Sequence, residues 1–210
     1  MDAAKKLGPQ TAEYTPDMVQ ETKDLFDLMG VSWVEAPMEA EGAAAVMCSR
    51  GDVSAVASQD WDTLLYGSPV MVRNLTSHGT RRFGRVMSAE RIDLSKTLES
   101  HGITREQLVD LGIMVGTDFH PGIKGIGPKT GLKLMKKHGT MEAVAEAKGF
   151  ELPENLEGIR SLFMEHPVGD EPIPEARRAV EESLRSFLQE ERGFSERRME
   201  RALNRLAEAG

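Results

Sequence analysis

Val53-Ser54-Ala55-Val56-Ala57-Ser58-Gln59-Asp60-Trp61-Asp62, followed by Thr63-Leu64-Leu65-Tyr66-Gly67-Ser68-Pro69-Val70-Met71-Val72-Arg73, is the stretch on which the fold turns. Val53 to Ser58 reads as a buried strand, and Pro69 to Leu75 reads as another, with Val70 and Val72 alternating against Met71 and Arg73. Asp60 and Asp62 stand just past the end of the first strand, where open α/β sheets place their ligands. If the segment stays extended, carboxylates at i and i+2 point to one side.

Working backwards, Pro37 opens a helix expected over Glu39 to Ser49, and Val31 to Glu35 reads as a short strand. Thr15-Pro16-Asp17 has the order of a helix start: an N-cap, a proline at the first helical position and an acid in the first turn. Met18, Thr22, Leu25, Phe26 and Met29 then share one face, and Gly30 ends that helix. Helix, strand, helix, strand, strand is the grammar of an α/β layer with a mostly parallel sheet flanked by helices.

Working forwards, Ser77 to Arg85 is rich in Gly, His and Arg and reads as a loop. Thr104 and Gln107 form a capping-box pattern for a helix running to Val115 and ending at Gly116. A further helix is expected from Lys129 to His138, and Thr140 caps the next. Prolines punctuate a looser stretch from Pro153 to Pro174. Helices near Glu175–Glu191 and Glu196–Ala209 alternate Arg with Glu, the pattern of a solvated, ion-paired face.

Composition bounds the function. The chain has 210 residues, is 40% apolar and carries a net charge of −8. No apolar run approaches the ~20 residues that span a bilayer, and Met1 is followed by no secretory pattern. A single cysteine, Cys48, fits a reducing, cytoplasmic setting. The net acidity argues against a nucleic-acid partner, but it is unevenly spread. Lys124, Lys129, Lys133, Lys136 and Lys137 lie between Phe119 and Thr140 with no Asp or Glu among them. The remaining acid is either a salt-adapted surface or a device that keeps DNA off the wrong faces.

Three acidic groups sit at element boundaries: Glu39 with Glu41, Asp60 with Asp62, and Asp118. Hard divalent cations with oxygen ligands are the natural partners of such a set, and Mg²⁺ suits a phosphate substrate. Each acid taken singly also has an ordinary reading, as a turn residue or a helix-dipole partner. Glu39 and Glu41 lie about 200° apart in a regular helix, so they can share a site only if Glu39 sits in an irregular first turn. The five histidines are scattered and offer no zinc site.

Gly122-Ile123-Lys124-Gly125-Ile126-Gly127-Pro128-Lys129-Thr130-Gly131 is the strongest local signal. Its glycines allow close backbone approach to a phosphate. Pro128 suits the first turn of a helix whose free N–H groups face outward. Lys129 and Lys133 add charge one turn apart. The expected result is a sequence-blind grip on one phosphate track through Lys124, Gly125, Gly127, Lys129, Thr130, Lys133, Lys136 and Lys137.

Taken together, these stretches resemble the flap endonuclease family of structure-specific 5′ nucleases, and its archaeal members most. The resemblance rests on Ala36-Pro37-Met38-Glu39-Ala40-Glu41, Ser58 to Pro69, Arg73-Asn74-Leu75-Thr76, and Val115-Gly116-Thr117-Asp118-Phe119 running into the Gly122–Lys129 turn. Gly193-Phe194-Ser195-Glu196-Arg197-Arg198 adds a late match. It implies a 5′-nuclease or PIN-like α/β core followed by a helical region with a helix-two-turn-helix motif over Gly116–His138. It also implies two Mg²⁺ ions, with Mn²⁺ as a substitute, held by seven carboxylates, five of them Glu39, Glu41, Asp60, Asp62 and Asp118. A potassium ion would sit on backbone carbonyls at Gly122, Ile123 and Ile126. The implied activity is 5′-flap endonuclease and 5′–3′ exonuclease cleavage of DNA in replication and repair. The implied partners are flapped or nicked DNA and a sliding clamp, with the protein a monomer.

The departures from the family pattern are large. Nothing here matches the family's first strand, its two further metal aspartates, or its helical arch with catalytic Lys and Arg, and the clamp-docking motif is missing. The expected organisation is therefore an arch remnant over 1–14, an incomplete metal-binding core over 15–100, a DNA-binding region over 101–150 and closing helices over 151–210. The alternative function is a catalytically incomplete module that binds duplex or junction DNA. A phosphatase-like enzyme on small substrates is a third reading, which the Lys-rich turn disfavours.

Overall fold

The computed structural model describes residues 14–82, 84–168 and 173–209. The expected arch remnant, Tyr14 excepted, falls outside them. In chain order the elements are α1 (Pro16–Met29), α2 (Ala40–Arg50), β1 (Val56–Ala57), α3 (Asp62–Leu65) and β2 (Val70–Arg73). Then come β3 (Arg81–Arg82), β4 (Arg85–Val86), β5 (Glu90–Asp93), α4 (Leu94–His101), α5 (Arg105–Val115), α6 (Pro128–His138) and α7 (Met141–Lys148). The chain closes with α8 (Leu156–Met164), α9 (Glu181–Arg185) and α10 (Glu196–Ala209). None of the described helices is long and apolar enough to cross a membrane.

The chain divides into two compact units. The first holds Glu35–Asp170. Its sheet has the order β1-β2-β5. β1 runs parallel to β2 in the register Val56 opposite Met71, and β2 runs antiparallel to β5 with Arg73 opposite Glu90. Parallel neighbours need a crossover, and here α3 supplies it. Met71, fully buried, joins Leu64 and Leu94 beneath the sheet. A larger core gathers Tyr66, Ile113, Met114, Met135, Val144 and Phe163 between the helices. Its helix starts follow the expected chemistry: Thr104 and Gln107 close a reciprocal capping box on α5, and Thr140 accepts from Ala143 N–H on α7.

The second unit holds residues 1–34 and Glu171–Gly210. Thr15 Oγ1 caps α1 and accepts from Met18 N–H, and Gly30 ends the helix at φ 72. Leu184, Leu188 and Met199 form a small core with Leu25 and Leu28 of α1. Its Arg–Glu surface is paired as the alternation implied: Arg185 reaches Glu181, Glu196 and Glu200.

Four local expectations are corrected. Residues 31–36 form no strand; an extended segment becomes one only with a partner to complete its ladder. Residues within Ser77–Arg85 are not all loop, because β3 and β4 pair as a hairpin, with Gly84 at φ 76 supplying the turn. The helix expected from Glu175 begins only at Glu181 and ends in a π-helical turn over Ser186–Glu190. Before it, Arg177 N–H and Val180 N–H donate to Gly30 O and Leu28 O, which commits that backbone elsewhere. The stretch after Pro153 contains α8, whose Phe163 is fully buried.

Candidate metal centre and nucleic-acid interface

Glu39 stands just outside α2 as its N-cap, at φ −62 and ψ 127, and Glu41 lies in the first turn. The irregular geometry at Glu39 removes the 200° separation that a regular helix would impose on the pair. Asp60 and Asp62 are placed differently from expectation. Asp60 N–H donates to Ser58 Oγ at 3.0 Å, and Asp60 Oδ1 accepts from Asp62 N–H at 2.9 Å. The segment is thus a turn leading into α3, not an extended run, so strand alternation is not what relates the two acids. Asp118 is exposed and follows Thr117, whose Oγ1 accepts from Phe119 N–H.

Electrostatics link all five acids. Asp62 is half-buried, and its pKa is pushed up to about 6, first by burial and then by Asp60, Asp118, Glu41 and Glu39. Tyr66 is raised as well, by burial and by Glu39, Asp62, Glu41 and Asp118, so its phenol stays neutral. Among the described residues, no salt bridge engages any of the five. The donor set is hard oxygen carrying uncompensated negative charge, which fits an Mg²⁺-type cation in charge and chemistry. Among the described residues, no three His, Cys, Asp or Glu stand close enough to hold an ion unaided. Completing a coordination shell here therefore calls on water or substrate oxygens, which Mg²⁺ commonly retains.

The glycine-rich turn joins α5 to α6. Gly116, Gly122 and Gly125 all have positive φ. At Gly122 any side chain would be strained: φ is 85, and a Cβ would lie 2.5 Å from Val115 O. Ile123 N–H donates to Met114 O at 2.7 Å, and Ile126 N–H donates to Ile123 O at 3.0 Å. Gly127 caps α6 without a side chain, and Pro128 takes the first helical position. The N–H groups of Lys129 and Thr130 are thereby left without helical acceptors. Lys124, Lys129, Lys133, Lys136 and Lys137 are all exposed, and none is ion-paired among the described residues.

Some residues that position this site gave no sequence signal. Arg105 Nη2 donates to Tyr66 O at 2.9 Å and to Phe163 O at 2.8 Å, tying α8 to the end of α3. His166 is buried edge-on to Tyr66, with ring centroids 5.0 Å apart. Both residue types are common, and only their tertiary partners distinguish them.

Comparison with known proteins places this geometry in context. The family model described as XPG I-region matches residues 30–118. Flap endonuclease 1 of Staphylothermus marinus is 41% identical over 216 residues, an alignment covering 100% of this chain and 62% of the relative. The chain thus spans about three fifths of the length of such relatives. Flap endonuclease-1 from Methanococcus jannaschii superposes with a TM-score of 0.81 at 34% identity, covering 98% of this chain and 63% of that one. The catalytic core of Rad2 in complex with DNA substrate shares the fold, with a TM-score of 0.78 at 21% identity over 92% of this chain and 71% of that one. The eukaryotic junction-resolving enzyme GEN-1, solved binding potassium, gives a TM-score of 0.66 at 26% identity over 85% of this chain and 53% of that one. Along nearly its whole length the chain is similar to flap endonuclease 1 proteins, of which it spans about three fifths.

Proposed function

We propose that this chain is the metal-binding and duplex-gripping portion of a structure-specific 5′ nuclease that hydrolyses DNA phosphodiesters at 5′ flaps and nicks. One observation carries the reading: burial, and then four other carboxylates, push the pKa of Asp62 up to about 6, and five acids gathered in this way are a concentration of charge that folding alone would not keep. Glu39, Glu41, Asp60, Asp62 and Asp118 would hold Mg²⁺, or Mn²⁺ in its place. A pair of such ions supplies an activated water and stabilises the leaving oxygen.

The chain's own residues do the rest. Tyr66, buried and kept neutral, adds no charge of its own to the acids whose field it feels. The free N–H groups at the start of α6, with Lys124 and Lys129, hold one phosphate track without reading bases. Lys133, Lys136 and Lys137 extend that positive surface along the same helix. Carbonyls of Gly122, Ile123 and Ile126 would coordinate potassium in the positive-φ turn, as the ion bound to GEN-1 suggests.

A second reading has its own support. Since no three acids among the described residues meet at ligating distance, the chain could bind flapped or nicked duplex without cutting it. Incubation with such duplexes in Mg²⁺ separates the two. Cleavage that Asp118→Ala abolishes, with duplex affinity intact, supports the nuclease. Binding without cleavage supports the second reading, and absence of both overturns the two together.

A further inference from the structure

Trp61 lies in the chain between two of the acids assigned above, Asp60 and Asp62, and its side chain is not part of the buried core. It is 52% exposed. Its backbone is fixed: it sits at φ −70 and ψ −19 at the start of α3, and its carbonyl accepts from Leu64 N–H at 2.9 Å. The indole is thus carried by a fixed backbone position between Asp60 and Asp62. Tryptophan pairs a large apolar face with a polar N–H and is enriched where proteins meet their partners.

A cation lies over the ring. The guanidinium of Arg73, at the end of β2, is 4.1 Å from the Trp61 ring centroid. One arm, Nη2, donates to Gln59 O at 3.3 Å. Its Nε–H is buried and has no acceptor. Among the described residues, Arg73 forms no ion pair. The ring and the carbonyl of Gln59 hold it instead. The assembly therefore offers a flat π surface and a positive charge in one place. A nucleotide has the complementary set: a flat base and an anionic phosphate.

We propose that Trp61 and Arg73 form a nucleotide subsite, in which an unpaired base next to the scissile phosphate stacks on the indole while the guanidinium contacts its phosphate. The subsite rests on the nuclease reading, because it is the acidic site that brings a strand to this position. Stacking of a base on an aromatic side chain strengthens binding roughly tenfold and tolerates any base. The subsite would therefore favour an unpaired nucleotide over a paired one without reading sequence.

The test uses the full chain with Trp33→Phe, which leaves Trp61 as the sole tryptophan emitter; Trp33 belongs to the other unit, where it donates to Asp27. A 5′-flapped duplex is titrated with Ca²⁺ in place of Mg²⁺, and both emission and affinity are read. Saturation should quench Trp61, and adding Trp61→Leu should weaken binding roughly tenfold. Affinity for Mn²⁺ without DNA should stay within about twofold, because the indole supplies no ligand. Unchanged duplex affinity in the Trp61→Leu chain overturns the subsite, and so does an unquenched indole at saturation. A parallel loss of Mn²⁺ affinity would trace the effect to displaced Asp60 and Asp62, which also overturns it. If the parent chain fails to bind the duplex, the nuclease reading falls and the subsite falls with it.

Discussion

Gly42 and His166 are complementary in shape: a Cβ added at Gly42 would lie 2.5 Å from the imidazole Cγ. The notch in α2 is filled by a ring that is itself buried against Tyr66. Gly42 directly follows Glu41, so this contact sets where the first turn of α2, and hence the Glu39–Glu41 pair, sits in the unit.

Gly42→Ala tests that contact through its sign. Alanine within a helix is otherwise favoured over glycine by about 1 kcal/mol, whereas overpacking of a tight contact costs about 1–3 kcal/mol. The expected outcome is a lower melting temperature for Gly42→Ala, with partial recovery in Gly42→Ala/His166→Ala. A more stable single mutant would show that the ring yields freely and positions nothing.

How far these features could be read from the amino-acid order depends on how local their causes are. Thr104 with Gln107, Thr140, Thr15 and Gly30 end helices by contacts within a turn or two, and the expected caps are the observed ones. Residues 31–36 and 81–86 differ because strand pairing is a property of two segments, and neither segment alone carries the information. Asp60 is an exception, because its contacts are local. Its spacing from Asp62 is visible in the sequence, but the Ser58–Asp60–Asp62 turn that relates them is not. His166 and Arg105 were silent because their roles lie in Tyr66, Gly42 and Phe163, which are remote along the chain.

Asp62 makes the metal-free protein pH-sensitive in a defined direction. Its pKa rises from 3.8 to about 6 on folding, so between those values the folded state binds more protons than the unfolded one. Stability from this group is therefore full below about pH 4 and is lost as pH rises through about 6. The linkage ceiling is ~3 kcal/mol, and solvent screening of a half-exposed carboxylate leaves on the order of 1 kcal/mol. In EDTA, Asp62→Asn should melt higher than the parent at pH 7, with the gap closing near pH 4. Excess Mg²⁺ should reverse the order at pH 7. Identical melting curves in EDTA at pH 7 would show that the acids do not load charge onto Asp62.

Arg160 holds three helices at one point. Its Nε and Nη2 meet Asp110 Oδ1 and Oδ2 at 2.7 and 2.8 Å, and its Nη1 meets Glu142 at 2.7 Å. Asp110 is only 5% exposed, and its Oδ2 also accepts from Met141 N–H, so α5, α7 and α8 depend on this carboxylate. Removing the cation strands a buried charge, which costs about 3–5 kcal/mol. Arg160→Met should therefore unfold at markedly lower denaturant. Arg160→Met/Asp110→Leu should lose less than the sum of the two single changes, because no charge remains buried. Additive losses would mean that the bidentate pair is not coupled.

Lys129 is best tested by salt, because its proposed partner is a phosphate and not a base. It occupies the first turn of α6, is exposed and has no ion pair among the described residues. Each phosphate neutralised on duplex DNA contributes about 0.9 to the slope of log K against log salt. Lys129→Ala should therefore flatten that slope by about one, weaken all duplex sequences alike and leave melting unchanged. Lys148, exposed at the end of α7, provides the internal control. Lys148→Ala removes the same charge from the chain but lies outside the turn, so its slope should match the parent's. Equal slopes for the parent and Lys129→Ala would remove Lys129 from the phosphate track. Equal losses at Lys129 and Lys148 would instead mean that overall charge, and not the glycine-rich turn, draws DNA to this protein.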